Sequence, residues 1–425
     1  MRSMTAALCL VLVPALAGNA VHAAELGSDV TSLLEYAKGN NPEYAAMRLE
    51  ADAAGERVYP AGALPDPVLR VELQNITNYD METGHSSGVN LLPSRVGSTK
   101  YTFMQPLPFW GKRDLRRDAA QAEAEAAQGR VGANWAELAA RIKDAFAQYY
   151  YVANNERLAR EVLDLVERLE KTAQVRYASG LTPQQDAIRA QVEQTGMRAE
   201  LIALESEKRQ LQARLNGLLA RPARAALAEP GQLRPLPSPV QLDPAQLAER
   251  LQARNPQMFT EEARVRAAEK GRELTQRNRY PDFTLGVSPI QTGNEFNEWE
   301  LMLELNLPLQ QESRRSQERE SEAMLGAARA RRAAVANQLQ SELSQQLAGL
   351  EAARRTELLT SSSLLPQAEL TFQSALAAYE TGRVDFSTLL EAQREIRRAK
   401  QARLKAQAEA QMRLAEIERL LGEDL

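Results

Sequence analysis

The stretch that decides the fold is Trp299-Glu300-Leu301-Met302-Leu303-Glu304-Leu305-Asn306-Leu307, where every odd-numbered residue is apolar and most even-numbered residues are polar. Successive side chains of a β-strand point to opposite faces, so this alternation predicts a strand with one apolar and one polar face. Shorter stretches with the same alternation occur at 69–73, 101–103 and 283–287. Taken in sequence order, the four strands predict two hairpins, at about 67–107 and 282–307.

The alternation fits two environments. The half-buried sheet of a soluble domain shows it, and so does a transmembrane barrel with lipid on one side and water on the other. Four such strands in an exported, otherwise helical chain favour the barrel. Four strands cannot close a barrel, since closed single-chain barrels begin at about eight strands, and open edges are unstable in lipid. Three copies would supply about twelve strands, so the sequence predicts an oligomer.

The N-terminus has the features of an export signal. Arg2 precedes an apolar run at 6–17, and small residues at 21–23 offer a cleavage site before Ala24. Residues 1–23 are therefore predicted to be a signal peptide. The chain's one cysteine, Cys9, lies within it, so the mature chain is expected to have neither a disulfide nor a thiol nucleophile.

The mature sequence consists of two halves with the same order of features, which predicts an internal repeat. The first repeat covers 24–221, the second covers 244–425, and 222–243 is a linker. Each repeat is expected to contain short helices, a hairpin, a long helix, a turn and a second helix. The first hairpin has about 16 extra residues, which fall in a polar loop at 78–97.

The long helices are predicted at 111–177 and 314–379, with Pro366 as the one internal breaker. A helix of this length spans ~100 Å at 1.5 Å per residue. Each ends at a Tyr-x-x-Gly step, Tyr177 to Gly180 and Tyr379 to Gly382, which predicts tips at 177–183 and 379–386. The glycines suit a left-handed helix end, and Thr182-Pro183-Gln184-Gln185 is typical of a capping box that starts the next helix.

Composition excludes several classes of function. The 52 basic and 56 acidic residues nearly balance, which argues against binding to nucleic acid. His85 is the one histidine outside the signal, and no glycine-rich phosphate loop is present. A single histidine argues against catalysis by histidine and against metal sites with several histidines, and we expect no enzymatic activity, no cofactor and no bound metal.

The order of features resembles the TolC family of outer-membrane efflux proteins over essentially the whole mature chain. The segment 105–113, Gln-Pro-Leu-Pro-Phe-Trp-Gly-Lys-Arg, is most similar to the CzcC- and CusC-like branch, which exports heavy-metal cations. The resemblance implies a mainly α fold with a small β part, in which three chains build a twelve-stranded outer-membrane barrel. A long periplasmic α-helical barrel would continue it.

The same resemblance implies a location and partners. The protein would be a homotrimer in the outer membrane of a Gram-negative bacterium, in contact with outer-membrane lipid and with a large periplasmic portion. It would dock a periplasmic adaptor (a membrane fusion protein) and an inner-membrane pump, and would export small solutes. The alternative that remains is a periplasmic coiled-coil scaffold or adaptor without a membrane barrel.

The resemblance also suggests functional residues. The turns would form a periplasmic gate in which Tyr379 is the tip tyrosine and Arg383 lies next to the family's arginine position, here Val384. Two acidic constriction positions of the family correspond to Thr388 and Glu391. On the polar face of the strands, the charged residues expected to line the lumen are Arg70, Glu72, Glu300 and Glu304.

Overall fold

The computed structural model describes residues 26–77, 88–180 and 182–425. The predicted signal peptide, His85 and residues 78–87 of the extra loop lie outside the described residues. Within them the chain is mainly helical with one small sheet. No helix in the described ranges combines the length and the apolarity that crossing a bilayer requires.

The helices of the described residues run, in chain order, as α1 (Val30–Asn40), α2 (Pro42–Glu56), α3 (Val58–Gly62), α4 (Lys112–Ala178), α5 (Gln184–Leu218), α6 (Pro244–Arg254), α7 (Pro256–Arg277), α8 (Gln311–Leu359), α9 (Leu365–Glu380) and α10 (Phe386–Leu421). The strands are β1 (Val68–Gln74), β2 (Ser98–Leu107), β3 (Phe283–Thr292) and β4 (Glu295–Leu305). Both predicted hairpins are therefore present, and the short helices expected before them are α1 to α3 in the first half and α6 and α7 in the second.

The four strands form one antiparallel sheet in the order β1-β2-β3-β4. Phe103 is opposite both Leu69 on β1 and Val287 on β3, and Leu285 is opposite Leu303 on β4. This register places the odd-numbered apolar residues of all four strands on the same face. In the described part of the chain β1 and β4 are edge strands, each paired on one side only.

Two Asn-Pro dipeptides, Asn41-Pro42 and Asn255-Pro256, lie at helix junctions. Asn255 ends the connection from α6, and its side chain accepts a hydrogen bond from the Met258 N–H at 2.8 Å, with Pro256 following as the first helical residue. Asn41 likewise accepts from the Tyr44 N–H at 3.0 Å. Asparagine caps a helix start and proline fits its first turn, so the dipeptide ends one helix and begins the next.

Pro366 interrupts the α-helical pattern of the predicted long helix without ending the helical path. A π-helical turn, Thr360–Leu364, joins α8 to α9, and Pro366 lies in the first turn of α9. Proline lacks an N–H and its ring clashes with the carbonyl four residues earlier. The wider π turn relieves that clash, so the helical path continues to Glu380.

The chain divides into two compact units. Of the described residues, the unit that we call the tip unit contains those at 26–45, in Asn134–Leu251 and in Gln340–Leu425, and the sheet unit contains those in Ala46–Ala133 and Gln252–Leu339. Each unit takes segments from both predicted repeats. In the tip unit, Lys143 and Glu418 form a buried ion pair at 2.7 Å, with Arg234 as a second cation at 2.9 Å from Glu418.

In the sheet unit, α4 and α7 approach closely at Gly129. A Cβ atom at this position would lie 2.4 Å from Thr260 Oγ1 and 3.1 Å from the Thr260 backbone nitrogen. Real Cβ atoms essentially never come within 3.0 Å of another heavy atom, so any larger residue here would force α7 or the Thr260 side chain to shift. Gly196 on α5 differs, because nothing lies within 4 Å of its Cβ position.

We expect Gly129→Ala to destabilise the protein by about 1–3 kcal/mol, because the methyl group overpacks the contact with α7. Gly196→Ala is the matched control, and it should be neutral or stabilise the protein by up to about 1 kcal/mol, because alanine favours the helix. The measurement is the midpoint of thermal unfolding of the purified protein. A Gly129→Ala variant as stable as Gly196→Ala would contradict the close packing of α4 on α7.

Candidate functional site

The two Tyr-x-x-Gly turns lie in the tip unit and have the same backbone geometry. Gly180 and Gly382 have φ angles of 73° and 74°, and their N–H groups donate to the carbonyls of Tyr177 at 2.9 Å and Tyr379 at 3.0 Å. A left-handed residue at this position ends an α-helix, and glycine adopts it without a steric penalty. Both predicted tips are therefore helix–turn–helix connections.

The two tyrosines of these turns have different environments. Tyr177 is 46% exposed, whereas Tyr379 is 2% exposed and its ring centroid lies 5.5 Å from that of Phe386. The Arg176 guanidinium covers the Tyr379 ring at 5.2 Å, and its Nη1 donates to the Glu380 carbonyl at 2.9 Å. Arg176 therefore connects the first turn to the second, a contact that the sequence analysis missed.

The Tyr379 hydroxyl is buried and has no hydrogen-bond partner among the described residues. Burial raises the pKa of this hydroxyl, and the nearby Asp186 raises it further, while Arg176 acts in the opposite direction. A buried hydroxyl without a partner costs roughly 1–3 kcal/mol. The Nε of Arg176, over the same ring, is also buried without a partner among the described residues, so the folded chain leaves two donors at this turn unsatisfied.

Asp186 is a second buried polar group at the turns that the sequence analysis missed. It lies in the first turn of α5 and is almost fully buried. Burial raises the pKa of its carboxyl, Asp385 raises it as well, and Arg189 and Arg176 lower it. An acid in a helix's first turn is visible in the sequence, but its burial depends on packing against the second turn.

The predicted capping box at 182–185 does not form. The α5 helix begins at Gln184 with Pro183 as its N-cap, which makes no side-chain hydrogen bond. The Thr182 hydroxyl is buried and has no partner among the described residues. The prediction was wrong because Pro183 occupies the cap position itself, one residue later than the box requires.

The second turn does have a side-chain cap. Asp385 accepts hydrogen bonds from the Thr388 N–H at 3.1 Å and the Thr388 hydroxyl at 2.6 Å, and also from the Ser387 hydroxyl. These hydrogen bonds, from the two hydroxyls and then the backbone N–H, lower the pKa of Asp385 from 3.8 to about 2. Thr388, a predicted constriction position, therefore holds the start of α10.

Two other proposed gate residues, Arg383 and Glu391, are exposed. Glu391 lies between two arginines of its own helix, 3.7 Å from Arg394 and 3.6 Å from Arg398. Arg383 is exposed, and its backbone N–H donates to the Ala378 carbonyl at 2.8 Å. Within the described chain no hydrogen bond or ion pair joins Tyr379, Arg383 and Glu391.

The sheet has its faces reversed relative to the sheet of a soluble domain. Its apolar face is open: Leu301 is 85% exposed, and other exposed apolar residues on this face are Leu69, Val71, Phe103, Leu285, Val287, Leu303 and Leu305. Its polar face is partly covered: Ser288 is 0% exposed and its hydroxyl donates to Thr102 Oγ1 at 2.9 Å. The exposed side of this sheet is thus the apolar one.

The charged residues predicted to line the lumen lie on that polar face. Arg70 Nη1 is 3.8 Å from Glu72 Oε1, and Glu300 forms an ion pair with Lys100 of β2. Glu304 is exposed and opposite Thr284. The sequence analysis omitted Lys100, whose charge opposes the acids of this face. Among the described residues no group of three or more His, Cys, Asp or Glu could hold a metal ion.

Comparisons with known proteins agree on one fold. The family model described as "Outer membrane efflux protein" matches residues 33–221 and 247–423. Over 100% of this chain and 98% of the other, the chain is similar to a membrane protein from Pseudomonas aeruginosa, with 21% identity and a TM-score of 0.78. No curated protein matches the sequence.

Two further solved structures are similar over most of their length. The outer membrane protein VceC from Vibrio cholerae has 19% identity and a TM-score of 0.77, with 93% of this chain and 96% of that chain covered. CusC, described as forming a transmembrane channel, has 17% identity and a TM-score of 0.78, with 93% and 92% covered. These similarities show that the chain has the fold of TolC-like channels.

We expect Asp385→Ala to loosen the start of α10 by about 0.5–2 kcal/mol at neutral pH, because the helix loses its cap. Asp385 has a lower pKa in the folded protein than in the unfolded chain. Its contribution is therefore present above the unfolded pKa of 3.8 and is lost as the pH falls towards 2. Amide hydrogen exchange in the first turn of α10 measures the change.

Asp385→Asn is the control, because asparagine also caps a helix and carries no charge. It should preserve protection of the α10 amides and remove the dependence on acidic pH. If the alanine variant exchanged as slowly as the unmodified protein at neutral pH, Asp385 would not be the cap that holds this turn.

Proposed function

We propose that three copies of this chain, which belongs to the outer membrane efflux protein family, form an outer-membrane channel. Small solutes would leave a Gram-negative cell through this channel. The observation that carries this proposal is the reversed sheet. Exposed apolar area is unfavourable in water, and large contiguous patches are rare on soluble monomers. In lipid the same face is stabilised, while the polar face lines a wet lumen.

The sheet edges support the oligomeric part of the proposal. β1 and β4 each have one side without a partner strand in the described chain, and unpaired backbone groups cost several kcal/mol each in hydrocarbon. If β4 of one copy pairs with β1 of the next, the edges disappear once the ring closes. Three copies provide about twelve strands, which is enough to surround an open lumen.

The turns of the tip unit are the proposed gate and the region that meets a periplasmic adaptor and an inner-membrane pump. The buried Tyr379 hydroxyl has no partner in its own chain, so a group from a neighbouring copy would satisfy it. Arg383 is exposed beside this turn and is the proposed helper of Tyr379. Three copies of Glu391 would place three carboxylates around the threefold axis of the trimer. Arg394 and Arg398 would partly neutralise the charge of each carboxylate.

Heavy-metal cations are the solute class favoured by the resemblance to CzcC- and CusC-like channels. The acids of the polar face, Glu72, Glu300 and Glu304, support passage of cations, because fixed negative charge in a pore attracts them. Arg70 and Lys100 oppose that effect. A scaffold or adaptor without a membrane barrel accounts less well for the chain, since it gives no reason to expose the apolar face of the sheet.

We predict that Leu303→Arg destabilises the membrane-inserted trimer by about 2–4 kcal/mol, because it places a charge on the lipid-facing side of β4. Glu304→Gln, one residue along the strand and on the other face, is the matched control and should leave assembly intact. The measurement is the yield of heat-modifiable trimer in the outer-membrane fraction. Equal tolerance of both substitutions would refute the proposed orientation of the sheet.

We predict that Glu391→Gln reduces cation selectivity and block by divalent cations of single channels in planar bilayers, because it removes three carboxylates from the constriction. Glu395→Gln is the control: this exposed glutamate is four residues along α10 and is also paired with Arg398, at 3.5 Å. Trimer yield should not change in either variant. Identical selectivity and block in both variants would place the constriction away from Glu391.

A further inference from the structure

A cavity of about 470 Å³ lies in the sheet unit where the strands meet the start of α4. We call it the basal cavity. Four of its lining residues come from the apolar face of the sheet, namely Leu107, Phe283, Leu285 and Leu303. The volume falls in the range of about 300–1,000 Å³ that is typical of small-molecule sites.

The basal cavity is continuous with the open apolar face. Leu285 and Leu303 are opposite each other in the strand register, line the cavity and are half exposed. Trp110 lines the cavity from the other side and is 75% exposed. If lipid covers the apolar face, hydrocarbon can enter the cavity without crossing a polar surface.

One cation at the cavity has no counter-charge. Arg113 lines the cavity, and its Nε donates to the Gly62 carbonyl at 2.9 Å, which fixes the side chain. No carboxylate of the described residues pairs with its guanidinium. Its neighbours are paired: Lys112 is buried against Asp282 at 2.8 Å, and the acid of the cavity lining, Asp114, is 3.5 Å from Arg117.

We propose that the basal cavity binds one anionic glycerophospholipid, with an acyl chain against Trp110 and Leu303 and the phosphate at Arg113. An apolar cavity open to hydrocarbon selects an acyl chain, and an unpaired guanidinium at its edge selects a phosphate. The proposal rests on the proposed function, because it requires the apolar face to lie in a membrane. It assigns a specific ligand to a region that the channel function alone leaves as a general lipid contact.

The test uses the full-length trimer in detergent with Trp135→Phe and Trp299→Phe, which leave Trp110 as the one tryptophan. Phosphatidylglycerol with brominated acyl chains is titrated into the protein, and quenching of Trp110 fluorescence is recorded. Phosphatidylcholine with the same chains is the comparison lipid. We expect phosphatidylglycerol to quench at a mole fraction lower by on the order of fivefold, the effect of one cationic side chain near an anionic headgroup.

Substitutions test whether Arg113 makes the selection. Arg113→Gln should abolish the difference between the two lipids, and Arg113→Lys should retain part of it. Arg116→Gln is the matched control, since Arg116 is an exposed arginine on the same helix that does not line the cavity. Equal quenching by both lipids, or an equal effect of Arg116→Gln, would overturn the proposed site.

A second single-tryptophan variant separates this proposal from the proposed function. With Trp110→Phe and Trp135→Phe, the remaining Trp299 lies on the apolar face of β4, and both lipids should quench it equally. If Trp299 is not quenched, the apolar face does not lie in lipid and the channel proposal fails. If Trp299 is quenched while Trp110 shows no preference for phosphatidylglycerol, the channel proposal stands and the lipid site is wrong.

Discussion

Every backbone N–H and C=O group of a β-strand needs a hydrogen-bond partner, and the edge strands of this sheet lack partners on one side in the described chain. The four-stranded sheet has two unpaired edges, and it exposes Leu301 and Leu303 while covering Ser288 and Thr102. The exposed apolar face is stable in lipid, where the unpaired edges are not. The unpaired edges can bond to water, where the exposed apolar face is unfavourable. Both requirements are met together only when further copies pair with the edges. The stability of the sheet therefore depends on oligomerisation.

The tip unit also has polar groups that the described chain leaves without hydrogen-bond partners. Helix ends, caps and close packing account for the turns within one chain, down to the Asp385 cap of α10. The Tyr379 hydroxyl and the Thr182 hydroxyl, one at each turn, are nevertheless buried without partners in the described chain. Most native buried polar groups are hydrogen bonded, so these exceptions indicate a contact that the single chain does not make. The strands and the turns therefore favour assembly for independent reasons.

Local patterns in the sequence predicted most of the fold. Period-two alternation located all four strands, and glycine at 180 and 382 located the turns, because each effect acts over a few residues. The capping box failed for a local reason, since Pro183 took the cap position. Arg176, Asp186 and Lys100 were missed for another reason. Their roles depend on partners about 200 residues away, as in the bond from Arg176 to Glu380, and a single sequence does not show which distant residues meet.

The segment 105–113 illustrates how a resemblance and a physical role can differ. The segment suggested a cation-exporting branch, yet its side chains stabilise the connection between β2 and α4. Lys112 binds Asp282, whose carboxylate also accepts the Phe109 N–H at 2.8 Å, and the Phe109 ring stacks on Tyr280 at 4.6 Å. These contacts would serve a channel for any solute. Under the proposed function, selectivity would arise where solutes pass, which the proposal assigns to the charged face of the strands and to the turns.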